Sequence, residues 1–108
     1  MMACPNTKDF SAWINLMPGT EPKLIVTGRV ETNSGSLQPH LVEADPQGIN
    51  PKILLLNLTI VDSGGIGTAD INYRDTRFEK PAVKDQYTDV EVIFEGKSCV
   101  SMKVSEAH

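Results

Sequence analysis

The stretch DPQGINPKILLLNLTIVD, residues 45–62, decides how the rest of the chain is read. Pro46, Gly48 and Pro51 crowd its first half, which is loop chemistry. Pro51 pushes Asn50 into an extended conformation and so launches a strand. From there Leu54, Leu56, Leu58 and Ile60 recur at every second position, the period of a β-strand with one face in a core. The alternate positions read Ile53, Leu55, Asn57, Thr59, Val61, apolar at both ends and polar in the middle. A simple outer face needs neither Ile53 nor Leu55, so something is expected to cover them. Trp13, with Phe10 and Ile14, is the nearest apolar cover in the chain; a partner is the alternative.

Working outward from this strand, the same period appears on both sides. In KLIVTGRVET, residues 23–32, Leu24, Val26 and Val30 share a face. Asn33-Ser34-Gly35 is a turn signal, and residues 37–44 resume an extended pattern interrupted by Pro39, which suits a sheet edge or a bulge. Ala69, Ile71 and Tyr73 alternate, with Phe78 out of phase by one, so a bulge is expected near Asp75 or Thr76. The final pattern, DVEVIFEGKSCVSMKV at 89–104, contains two strands. Val90, Val92 and Phe94 face one way, as do Val100, Met102 and Val104. Directly opposed residues share a sheet face, so the paired numbers must sum to an even value. A two-residue turn at Gly96-Lys97 gives an odd sum. The expectation is therefore a loop of Gly96-Lys97-Ser98, with Phe94 opposite Val100.

The first 22 residues read differently. Phe10, Trp13, Ile14 and Met17 have helical spacing, with Thr7 as a cap and Pro18-Gly19 as a stop. A strand through 12–17 is the competing reading. The fold class expected is all-β: a mostly antiparallel β-sandwich of six to seven strands, immunoglobulin-like in outline, formed as one domain over residues 1–108. A short N-terminal helix or extended segment (1–22) packs on it.

Composition narrows the function. The 108 residues carry a net charge of −4, with 40% hydrophobic and 22% charged residues. Lys and Arg are scattered rather than gathered in a basic stripe, which argues against nucleic acid. The start, MMACPNTKDF, shows no basic region leading into an apolar one, and the longest apolar run is Ile53–Leu56, so no membrane span or leader is expected and the chain is read as cytoplasmic. In that compartment Cys4 and Cys99 are expected to be free thiols, although a bridge between them would close a long loop.

Candidate chemistry is thin. Ser63-Gly64-Gly65-Ile66-Gly67 lacks the spacing of a dinucleotide fingerprint, and Gly96-Lys97-Ser98 lacks the upstream glycine of a phosphate loop. Asn57-Leu58-Thr59 is a formal sequon placed in the middle of the most apolar strand. His40 is internal and His108 terminal, too few for a histidine metal site. No cofactor or metal is expected. The leading functional expectation is a non-enzymatic binding module, with His40, Gln47 and Asn50 as candidate binding residues around the 45–51 loop. Ile53, Leu55 and Trp13 are the candidate interface, and the partner is a protein or a second copy of the chain. A structural subunit that self-associates through a sheet face is the alternative. A small enzyme using Cys99, or acidic residues among Asp70, Asp75, Glu79, Asp85, Asp89, Glu91 and Glu95, ranks third.

Overall fold

The structure is a computed structural model that describes residues 4–64 and 69–107. Among these, seven strands and no helix are present: β1 (Thr7–Asn15), β2 (Lys23–Thr32), β3 (Leu37–Glu43), β4 (Ile53–Asp62), β5 (Asn72–Pro81), β6 (Asp89–Phe94) and β7 (Lys97–Ala107). They form one mixed sheet in the order β3-β4-β6-β7-β1-β2-β5. The pairs β4–β6 and β1–β7 are parallel and the rest antiparallel. The sheet curls until its two edge strands approach, with Cα atoms of β3 and β5 within 8 Å of each other. Across that seam Lys80 Nζ reaches Glu43 Oε1 at 3.0 Å. The result is a nearly closed barrel. The expected antiparallel sandwich is corrected on both counts, because β7 runs through both halves: Lys97–Lys103 pairs with β6 and Val104–Ala107 with β1.

The interior is a single apolar cluster. Ala12 and Ile14 of β1, Leu24, Val26 and Val30 of β2, Leu41 of β3, Leu54, Leu56 and Leu58 of β4, and Val90, Val92 and Phe94 of β6 are buried in it. The period-two reading of β2, β4 and β6 thus holds, with Ile60 only partly buried toward the end of β4.

Residues 7–15 take the extended form, not the helical one. Asp9 has φ 57°, and with Phe10 it forms a bulge opposite Gly28, between the pairs Lys8↔Arg29 and Ser11↔Thr27. Downstream of the bulge Ala12 and Ile14 face the core, while Trp13 stands opposite Ile25 on the outer face. Ile25 is only 5% exposed. The helix-like spacing arose from a strand whose two faces both carry apolar residues.

The irregularities expected elsewhere moved. The β2–β5 ladder is continuous from Lys23↔Pro81 to Thr32↔Asn72, so no bulge lies near Asp75 or Thr76. The inward positions of β5 are instead Arg74, Thr76, Phe78 and Lys80, and the polar members find partners: Arg74 donates to the Thr32 and Asn72 carbonyls at 3.1 and 2.9 Å. In the β6–β7 hairpin, Glu95 and Gly96 both have positive φ and make a two-residue turn that pairs Phe94 with Lys97. A register shift beyond Ile93↔Ser98 then pairs Val92 with Val100. The even sum is met, but by a tight turn plus a bulge at Cys99 rather than by an odd loop.

Cys4 and Cys99 form a disulfide, with Cα atoms 5.7 Å apart, so the expectation of free thiols is corrected. The bulge turns Cys99 from the outer face, where simple alternation puts it, so that it packs against the core. Gly65–Gly67 of the glycine loop and His108 lie outside the described residues.

Candidate binding surface at the loop end of the barrel

The connections 16–22, 44–52 and 82–88 all leave the same end of the barrel, because β1, β3 and β5 end there and β2, β4 and β6 begin there. Each presents an exposed apolar side chain: Met17 at 52%, Val83 at 63% and Ile49 fully exposed. Isolated exposed residues are ordinary, but one on each of three adjoining loops is a surface to be explained.

The loops are held in shape by their own polar groups. In 44–52 the Gln47 amide acts as a short piece of strand. Its Oε1 accepts from the Leu55 amide at 2.9 Å, and its Nε2 donates to the carbonyls of Leu55 and Ala44 at 3.0 and 2.6 Å. Asn50 Oδ1 accepts from the Lys52 amide at 2.9 Å, closing a local turn. Gly48 lies over Leu55, where an added Cβ would come 3.2 Å from Leu55 Cδ1. Ile49 stands at the apex. In 82–88 the Val83 amide donates to Gln86 Oε1 at 2.9 Å and Val83 O accepts from the Gln86 amide at 3.1 Å. In 16–22 Asn15 Oδ1 accepts from the Met17 amide, and Thr20 Oγ1 donates to the Met17 carbonyl.

The three loops are also tied to one another. Lys52 Nζ donates to the Asp85 carbonyl at 2.6 Å, and the Thr88 amide donates to the Lys52 carbonyl at 2.8 Å. The Ala82 amide donates to the Pro22 carbonyl at 3.2 Å. Between 44–52 and 82–88 lies a groove of about 610 Å³, with Ile53 and Tyr87 among its walls. Below it Lys80 Nζ meets the Tyr87 hydroxyl and Glu43 Oε1, both at 3.0 Å. The Tyr87 hydroxyl first, and the Glu43 carboxylate behind it, hold the Lys80 ammonium above the ordinary lysine pKa.

The residues singled out from the sequence fall in different places. Gln47 and Asn50 are in the loop, but their side chains are engaged by backbone groups. His40 is exposed on β3, opposite Thr59, and belongs to the sheet edge rather than the loop. Ile53 and Leu55 are half-buried, and the cover over Leu55 is Gly48 of the adjoining loop. Trp13 sits on β1, separated from β4 by β6 and β7, so it does not cover them. Cys99 is bridged and offers no thiol. Among the described residues no group of three or more His, Cys, Asp or Glu could hold a metal ion. No helix there is long and apolar enough to cross a membrane. From the sequence Met17 is assigned only to the helical spacing, and Ile49 and Val83 are not reached; the available signal is an apolar residue beside turn-formers, as in Met17-Pro18-Gly19 and Gly48-Ile49-Asn50.

Compared with known families, with curated proteins and with solved structures, the chain matches none.

Proposed function

We propose that this chain is a non-enzymatic binding domain that seats a protein partner on the loop end of its barrel. The observation that carries this reading is the set of Met17, Ile49 and Val83, exposed on three loops that are bonded to one another. A surface held in shape before contact loses little freedom on binding, and apolar side chains around a groove supply the burial that drives association. Recognition borne by loops on a rigid sheet is a common solution. Separately, the Cys4–Cys99 bridge favours a compartment oxidising enough for a disulfide to form over the cytoplasm expected from the sequence.

The test compares two variants in cross-linking from the native source. Met17→Ser/Ile49→Ser/Val83→Ser alters the loop end, and Val61→Ser/Ile71→Ser alters exposed residues at the opposite end. A partner captured by the wild type and the second variant, and lost by the first, is the expected result. Loss from the second variant alone moves the surface to the other end. Light scattering on the purified chain separates the remaining reading: a dimer abolished by the loop-end variant makes the partner a second copy.

A further inference from the structure

We infer that the Cys4–Cys99 bridge is a redox clasp over a wedge between β1 and β7. The two strands pair in parallel only over Ala12–Asn15 against Val104–Ala107. Toward the disulfide end they part: β7 pairs with β6 over Lys97–Lys103, and β1 stays with β2 as far as Thr7↔Val30. Among the described residues no backbone pair joins β1 to β7 in that region. The consequence shows in burial. Val90 and Val92 of β6 are fully buried, whereas Val100 and Met102, inward on the neighbouring β7, are only half-buried.

Both strands carry their irregularity where the wedge opens, at Asp9–Phe10 in β1 and at Cys99 in β7. Phe10 and Cys99 both pack against the core there. At the mouth, the covalent link joins Cys99 of the hairpin to Cys4 of the segment preceding β1. That segment is held on its other side by β2: the Glu31 amide donates to the Asn6 carbonyl at 2.9 Å, and Asn6 Nδ2 donates to Glu31 Oε1 at 3.1 Å. When the bridge is cut, residues 4–8 stay with β2 and the β6–β7 hairpin end is released from them. The remaining ladders do not depend on the link.

The chemistry is a thiol–disulfide exchange with a dithiol. A thiolate of the reductant attacks one sulfur and the Cys4–Cys99 bond breaks. The second thiol resolves the mixed disulfide, so the reductant leaves oxidised and its two protons pass to the Cys4 and Cys99 sulfurs. Oxidation by a disulfide reverses each step.

Met102, on β7 inside the wedge, reports the change, and the exposed Met17 at the far end of the barrel is the internal reference. Wild type, wild type reduced with a dithiol and then alkylated at both thiols, and Cys4→Ser/Cys99→Ser are exposed to a dilute hydroperoxide, and sulfoxide at each methionine is read by peptide mass. The expected result is a Met102/Met17 oxidation ratio that rises about tenfold in the two unbridged forms while the far-ultraviolet dichroism of the sheet is kept. A Val92→Ala variant, weakened through the core with the bridge intact, keeps the wild-type ratio. An unchanged ratio on reduction overturns the inference. So does loss of the sheet signal, or an equal rise in Val92→Ala, since either shows that Met102 follows the stability of the whole fold rather than the opening of the wedge.

Discussion

Gly28 has no side chain because the Phe10 ring occupies the place of one. A Cβ there would lie 2.5 Å from three ring atoms, closer than such atoms approach. The bulge at Asp9 delivers the ring to that spot, and an aromatic laid across a strand glycine restores the burial the glycine forgoes. Gly28→Ala is therefore expected to destabilise the fold by about 2 kcal/mol through overpacking. Phe10→Ala should relieve that clash, so the double variant in a urea-denaturation cycle should cost less than the sum of the singles. Gln47 makes a second prediction at this scale. Its amide serves both the N–H and the C=O of Leu55, at a solvent-exposed site. Gln47→Ala should cost about 1 kcal/mol, and Gln47→Glu should cost more and give the lowest denaturation midpoint, because its second carboxylate oxygen would face the carbonyl oxygens of Ala44 and Leu55.

At the scale of elements, the seam between β3 and β5 depends on Lys80. Its pKa is raised above 10.5 by Tyr87 and then by Glu43. A group whose folded pKa is raised contributes stability that is whole below its unfolded pKa and is lost as pH rises through the folded value. With the lysine side chain 22% exposed and Glu43 43% exposed, Lys80→Met should cost about 1 kcal/mol at pH 8. The gap between wild type and variant should close as the pH is taken above 10.5 in a series of denaturation curves. A gap that stays constant would assign the effect to packing of the lysine stem instead.

Elements also show what could be read from the sequence. Strands β2, β4 and β6 were legible because each buries one face, and alternation is then obligatory. The β6–β7 hairpin was legible in its constraint and not in its solution. The even pairing sum follows from Val92 and Val100 sharing the interior, but a sequence can satisfy it with an odd loop or with a tight turn and a bulge. Glu95 accepting φ 50° decides between them, and nothing in a glutamate announces that. β1 misleads for the opposite reason: Trp13 beside Ile25 gives it an apolar outer face, which blurs a period of two into one resembling a helix. The parallel pairs β4–β6 and β1–β7 join strands distant in sequence, and no local pattern carries that information. The loop-end residues were legible only in retrospect, since one exposed apolar residue means little until three loops are placed side by side.

The whole molecule measures 43 × 32 × 21 Å, a flattened barrel. This explains why a sandwich pattern and a barrel are hard to tell apart in sequence: both bury one face of each strand against the opposite wall, and only the course of β7 distinguishes them. It also sets what the disulfide does for the fold as a whole. Residues 95 apart in sequence are linked, so nearly the entire unfolded chain becomes a loop. On the chain-entropy account that restriction contributes about 4 kcal/mol, a large share of the roughly 5–15 kcal/mol typical of a small domain. Reduction should therefore lower the unfolding free energy by about that margin, and the urea midpoint with it. It should also steepen the dependence on urea, because an unlinked chain expands further and exposes more surface. A lower midpoint with unchanged slope would place the effect in the folded state, through contacts made at Cys99, rather than in the unfolded chain. Adding Asn6→Ala to the reduced protein then tells how much of the N-terminal segment's attachment rests on Glu31 once the bridge is gone. The Asn6–Glu31 side-chain bond is solvent-exposed, so a further loss of under about 1 kcal/mol is expected.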